Sequence, residues 1–136
     1  MDTQRTPTTL DEVRLAIFRQ HTQLAQLLDE LELHAKAVLD GSGEARALND
    51  ALEVLNIRFT RHLAYEEPHL AKWLPRAPSL LGDHDDQRLR MEGLVHDRAV
   101  FEDPRTLAHE ALAFVRVVRA DMVDEDRKLR ALRAAD

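Results

Sequence analysis

Residues 44–67 read EARALNDALEVLNIRFTRHLAYEE, and the periodicity of this stretch decides the fold class. Leu48, Leu52, Leu55 and Phe59 recur at three- and four-residue intervals, the spacing that lines one face of an α-helix. Following the same face past Phe59 brings His62 and then Glu66, polar groups where the pattern calls for apolar ones. The two are spaced i,i+4, so their side chains leave one face of the helix one turn apart. A carboxylate turned toward a protein core is costly unless it is paired or binds a cation. The stretch therefore specifies a helix and, at its C-terminal end, a chemistry that packing alone does not require.

The chain on either side reads the same way. Thr9 followed by Glu12 is a capping box that opens a periodic run from Leu10 to about Leu39, and Gly41-Ser42-Gly43 closes it. After the second run, Pro68, Pro75 and Pro78 punctuate the connection, with residues 70–73 forming a kinked continuation. A third helix is expected from near Pro78 or Ser79 to about Arg98. Asp103 as N-cap with Pro104 in the first helical position starts a fourth, which runs to about Leu132. The connections are short, so neighbouring helices should be antiparallel, and the expected fold is an all-α, up-down-up-down four-helix bundle. Residues 1–8 are polar and read as a flexible N-terminus, leaving 9–136 as a single domain.

Composition agrees and excludes several chemistries. Of 136 residues, 44% are hydrophobic and 32% charged, with only 4 glycines, which suits a soluble helical chain. The absence of cysteine removes disulfides, thiolate nucleophiles, iron–sulfur clusters and cysteine-type zinc sites, so any metal must rest on nitrogen and oxygen. A net charge of −6 argues against a nucleic-acid backbone as partner, and no apolar run approaches membrane-spanning length. A cytoplasmic location is the default expectation.

The remaining stripes repeat the anomaly. In helix one His21 interrupts Leu10, Val13, Ile17, Leu24, Leu28 and Leu31. The third stripe reads Leu80, Leu81, His84, Arg88, Met91 and Val95. The fourth reads Leu107, Ala111, Phe114, Val118, Asp121, Glu125, Leu129 and Leu132. A lone histidine on such a stripe is more often a hydrogen-bonded core residue than a ligand, and one HxxxE is a common accident. Three imidazoles and three carboxylates from four helices have a shared cation cluster as their economical explanation, with His21, His62, Glu66, His84, Asp121 and Glu125 as ligands. Asp126 is an alternative to Glu125. Arg88 and Tyr65 are candidates to hydrogen-bond a ligand or a bound anion, packing being the simpler role for Tyr65. His34, His69, His96 and His109 fall off the stripes or near helix ends and read as surface residues.

An isolated histidine on helix one, HxxxE on helix two, a histidine early in helix three and a two-ligand pair late in helix four resemble the hemerythrin-like HHE cation-binding family. The text HLAYEEPHL (62–70) is also similar to that family's histidine followed by paired acids. The resemblance implies two iron ions in the bundle core, bridged by Glu66 and one helix-four carboxylate, and by oxide or hydroxide once oxidised. His21 and His62 would hold one ion, and His84 with Asp121 the other. The family's helix-four pair is often spaced i,i+5, which selects Asp126; the helical face selects Glu125. Oxygen carriers of the family have HxxxH on helix three, where this chain has Arg88, and a histidine where it has Asp121. The donor set is correspondingly poorer in nitrogen and closer to that of carboxylate di-iron oxidases.

The expected function is a non-haem di-iron protein that binds or reduces oxygen, peroxide or a related small oxidant, with weak oxidase- or peroxidase-type activity and an unidentified redox partner. The alternatives are an iron- or oxygen-sensing or storage module without turnover, and a metal-free helical interaction domain. The same ligands also suit manganese or zinc.

Overall fold

The computed structural model describes residues 9–75, 77–82, 84–96 and 103–132. Among them are four α-helices, a single 3-10 turn and no strand: α1 (Leu10–Asp40), α2 (Ala45–Leu70), the 3-10 turn (Ala71–Trp73), α3 (His84–His96) and α4 (Pro104–Ala131). The expected flexible segment 1–8 lies outside the described residues. α1 packs against α2 and α4, and α3 packs against the same two helices. None of the helices is long and apolar enough to cross a membrane.

Local chemistry sets the helix ends. The Thr9 hydroxyl accepts the Glu12 N–H at 3.1 Å and donates to the Glu12 carboxylate at 3.0 Å, so one side-chain pair holds the start of α1. At the other end Gly41 takes φ 83°, a conformation that costs glycine little, and its N–H reaches back to the Ala37 and Val38 carbonyls. Asp103 accepts the Arg105 N–H at 3.0 Å and Pro104 opens α4. Cross-helix bonds tie opposite ends together. The Arg14 guanidinium, at the start of α1, donates to the Leu132 carbonyl just beyond α4, and Arg105, at the start of α4, donates to the Leu39 carbonyl at 2.6 Å.

Two boundaries differ from the sequence expectation. α2 runs through Pro68 to Leu70 rather than stopping near Glu67. Pro68 and Ala64 are both exposed, so the carbonyl that the proline ring leaves unbonded faces water, which keeps the cost of continuing small. α3 begins at His84 and not near Pro78. Residues 78–82 instead form successive turns, with the Leu80 N–H on the Ala77 carbonyl and the Gly82 N–H on the Ser79 carbonyl. Gly82 has φ 57°, which no right-handed helix can include.

The core is divided. A large apolar cluster joins Leu24, Leu28, Leu31, Leu48, Leu52, Leu55, Phe59, Met91, Phe114 and Val118, with Phe59 and Phe114 edge to face at 5.6 Å. A smaller one joins Leu10, Val13, Ile17, Leu70, Trp73, Leu80 and Leu129. Along α1, α2 and α4 the buried polar residues fall between the two: His21 lies between Ile17 and Leu24, His62 and Glu66 between Phe59 and Leu70, and Glu125 between Val118 and Leu129.

Candidate metal centre

Five of the six ligands expected from sequence are buried: His21, His62, Glu66, His84 and Glu125, none more than 5% exposed. Asp121 is half-buried. All six are brought together. Donor atoms of His21, His62, Glu66 and Glu125 lie within 4.8 Å of one another, and so do those of His84, Asp121 and Glu125.

The atom-level arrangement has two sides. On one, His62 Nε2 stands 2.6 Å from a Glu66 oxygen, His21 Nε2 stands 3.0 Å from Glu125 Oε1, and the two Nε2 atoms are 3.2 Å apart. On the other, His84 Nε2 stands 3.2 Å from Glu66 Oε1, 3.1 Å from Glu125 Oε2 and 3.8 Å from Asp121. Glu66 and Glu125 each turn one oxygen to either side, so both carboxylates span the two sets of imidazoles.

The outer ring nitrogens fix which way the histidines face. His21 Nδ1–H donates to Asp126 at 2.6 Å, and His62 Nδ1–H donates to the Gln20 amide oxygen at 2.8 Å. With those protons turned outward, two neutral imidazoles present their Nε2 lone pairs to each other across 3.2 Å. With the His21 and His62 protons on Nδ1, Glu66 Oε1 and Oε2 and Glu125 Oε1 are left buried without a hydrogen-bond donor. Lone pairs from three helices thus converge, and the one side-chain proton left to meet them is that of His84, whose Nε2 lies 3.1 Å from Glu125 Oε2. Either protons or metal ions must supply the positive charge.

The electrostatics express that demand. Burial opposes a charge on His21, but hydrogen bonds to Glu125 and Glu66 and the charges of Glu125 and Asp126 outweigh it, pushing the imidazole up to about 10. Burial opposes charge on His84 as well, and Glu125, Glu66 and Asp121 raise it. Burial would raise Glu66, yet His21 and His62 hold it well below the usual carboxylate range. Glu125 goes up, through burial first and then the neighbouring Glu66. An imidazole held this strongly protonated by carboxylates sits in a field that would equally hold a metal cation.

Asp126 and Glu125 have separate places: Glu125 points inward, and Asp126, with its side chain 23% exposed, holds the outer nitrogen of His21. Arg88 is a correction. Its side chain is 46% exposed and pairs with Glu67 and Asp85, outside the cluster. Gln87 takes the buried position instead, because the stripe of α3 follows His84, Gln87, Met91 and Leu94; Val95 is only partly buried. An arginine rotated to that face would bring an uncompensated charge into the core, and the amide is the less costly guest. Tyr65 stacks on His69 with ring centroids 4.0 Å apart and packs on the smaller apolar cluster, where its hydroxyl has no hydrogen-bond partner. No hydrogen bond joins its hydroxyl to the six donors. His96 and His109 are exposed, while His34 and His69 are half-buried, and none joins the cluster.

Sequence reasoning missed Gln20 and Gln87, and left Asp126 as a substitute ligand. A signal for the first was present: a ligating histidine needs a partner for its other nitrogen, and Gln20 flanks His21 on the side turned toward α2. None of the family models, curated proteins or solved structures compared with this chain matches it.

Proposed function

We propose that this chain is an up-down-up-down four-helix bundle of hemerythrin-like type that holds two metal ions, iron by preference, and uses them to bind or reduce a small oxidant such as oxygen or peroxide. The antiparallel arrangement is supported by the end-to-end bonds Arg14–Leu132 and Arg105–Leu39 between α1 and α4. One observation carries the functional reading: three imidazole Nε2 atoms and the oxygens of two spanning carboxylates converge in one buried layer, with the outer nitrogens of His21 and His62 tied to Asp126 and Gln20.

The residues fit such a pair of ions. His21 and His62 would hold one, His84 and Asp121 the other, and Glu66 and Glu125 would bridge them. The donor set is nitrogen and carboxylate oxygen, which suits iron, manganese or zinc and disfavours soft thiophilic metals. Two ferrous ions there would supply one electron each to a bound oxidant. The protein's part is positional. Gln20 and Asp126 fix the tautomer and the angle of two imidazoles. The apolar clusters on either side keep bulk water from the layer, which strengthens every charge interaction within it. Asp121, packed against Gly82 with its side chain 19% exposed, is the least buried of the six donors.

Arg88 stays with Glu67 and Asp85, so it does not offset the charge of Asp121. Three carboxylates against three imidazoles favour the more highly charged ferric state, and with it consumption of the oxidant over reversible binding. Anaerobic loading with ferrous iron followed by rapid mixing with oxygenated buffer tests this. Oxygen should be consumed in proportion to iron; recovery of unchanged oxygen under argon would point to carriage or sensing.

A metal-free reading also has an observation in its favour. Protonated His21 and His84 between Glu66 and Glu125 would make a buried ion-pair layer by themselves. Such layers are less stable than packed apolar side chains of similar volume. A chain that keeps one without a ligand must gain specificity from it, and failure to bind any divalent metal would select this reading.

A further inference from the structure

The two histidines that share the nitrogen-rich side open on their outer edges to different surroundings. Behind His21, the space between α1 and α4 contains the Asp126 carboxylate. Behind His62, a cavity of about 220 Å³ lies between α1 and α2, lined by Gln20, Gln23, Leu24, Arg58, Arg61 and His62. Its lining residues include two arginines and two glutamines and no acidic residue. In a chain of net charge −6 that is an unusual concentration of donors.

Neither arginine is otherwise engaged among the described residues. Most arginines described around the bundle have a carboxylate, a backbone carbonyl or a ring as partner: Arg14 with Asp11, Arg88 with Glu67, Arg90 with Asp86, Arg119 with Glu32 and Arg130 over Phe18. Arg58 and Arg61 make no ion pair or hydrogen bond among the described residues, although they are one turn apart on α2 and border the same cavity. The Gln20 side chain adds direction. Its oxygen accepts the His62 Nδ1–H at 2.8 Å, which leaves its NH2 group as the free end.

We infer that this cavity is a binding site for a compact oxyanion of at least two negative charges, of the size of phosphate or a short dicarboxylate. Arg58 and Arg61 supply the charge, and planar guanidiniums match two oxygens of such a group at once. Gln20, and Gln23 at the rim, complete the donors. Because Gln20 also holds His62, an anion on its NH2 group stiffens the hydrogen bond that orients the imidazole. The site is thereby placed to couple anion binding to whatever His62 does, while its formation requires no metal.

Isothermal titration of the full-length chain with inorganic phosphate, and separately with malonate, at fixed ionic strength tests the inference. One site per chain is expected. Replacing Arg58→Ser or Arg61→Ser should weaken it about tenfold each, as expected for loss of a charged hydrogen bond. Arg116→Ser, an exposed change on α4, should leave it unaltered. Both arginines are exposed, so the variants should keep native helicity, which circular dichroism checks. Measuring native and doubly substituted chains at matched metal content separates the cavity from an anion held on metal. Preference between phosphate and malonate identifies the class of natural ligand. Absence of saturable binding, or equal binding by native and doubly substituted chains, overturns the inference and leaves the metal-centre proposal untouched.

Discussion

On the α1–α2 side of the polar layer, His21 and His62 each donate an outward Nδ1–H to a fixed acceptor, Asp126 at 2.6 Å and Gln20 at 2.8 Å. On the α3 side, His84 Nδ1 is buried with no partner among the described residues, and Asp121 is half-buried. The two sides share Glu66 and Glu125 but differ in everything that holds their remaining ligands. A histidine with its far nitrogen tied down is oriented before a metal arrives, and one without such a tie must be oriented by the metal itself. The α1–α2 side should therefore bind the first ion tightly, and the α3 side the second ion more weakly and exchangeably.

The largest effect should come from removing what the sides share. Glu66→Leu takes away an oxygen from each and should abolish binding of the second ion and weaken the first by more than about a hundredfold. The same change should also lower the melting temperature of the metal-free chain, since it removes one partner of a buried histidine–carboxylate cluster and leaves the imidazoles unpaired. Metal titration and thermal melts on one preparation check both effects. A metal-free variant that melts higher than the parent would mean that Glu66 is a net burden on the layer in the absence of metal.

Asp126→Asn should act on one side alone. The amide can still accept the His21 Nδ1–H, but without a negative charge, so affinity for the first ion should fall about tenfold to a hundredfold. The second should change little. Equal loss at both would contradict the asymmetry.

Acidity sharpens the comparison in opposite directions for the two forms of the protein. In the metal-free form the His21 pKa rises from 6.5 to about 10, and that of His84 also rises. Groups raised on folding stabilise below their unfolded pKa, and the contribution disappears as pH climbs through the folded value. Glu66, held low, contributes above its ordinary 4.5 and loses that contribution in acid. The metal-free chain should thus be most stable between about 4.5 and 6.5 and weaken steadily toward pH 10. The metal-loaded chain needs neutral imidazoles, so it should gain stability over the same rise in pH. Melting curves of both forms across this range should cross; parallel curves would mean that the metal does not replace protons on these histidines.

The smallest effect is expected at Arg88. Its partners are Glu67 and Asp85 on the surface, so Arg88→Ala should change stability by no more than about 0.5 kcal/mol and leave metal affinity unaltered. A large loss of metal would bring the residue back into the centre.

These contrasts also separate what was legible in the sequence from what was not. The stripes through Leu48, Leu52, Leu55 and Phe59 and through Val13, Ile17 and Leu24 yield the helices and place His21, His62, Glu66 and Glu125 inward, because each apolar stripe is long enough to fix its phase. α3 is short and rich in charge, and a shift from the i+4 to the i+3 neighbour exchanges Arg88 for Gln87 without breaking the pattern; only the cost of burying a charge decides. Its start was misplaced because Pro78 and Ser79 look like a helix opening, while the left-handed Gly82 that prevents one is invisible to periodicity. Cross-helix partners such as Gln20 and Asp126 depend on how neighbouring helices are rotated, which no single stripe contains.

The central claim is that the polar layer holds two ions per chain, bound unequally. The measurement closest to it is an anaerobic titration of the chelator-stripped, full-length protein with ferrous iron, with bound metal counted by elemental analysis after desalting. Two equivalents should bind, the first at least about tenfold more tightly than the second, and only the first should survive brief dialysis. A chain that retains no iron, and none of manganese or zinc under the same conditions, would contradict the claim and leave the layer as an ion-pair network of protonated histidines.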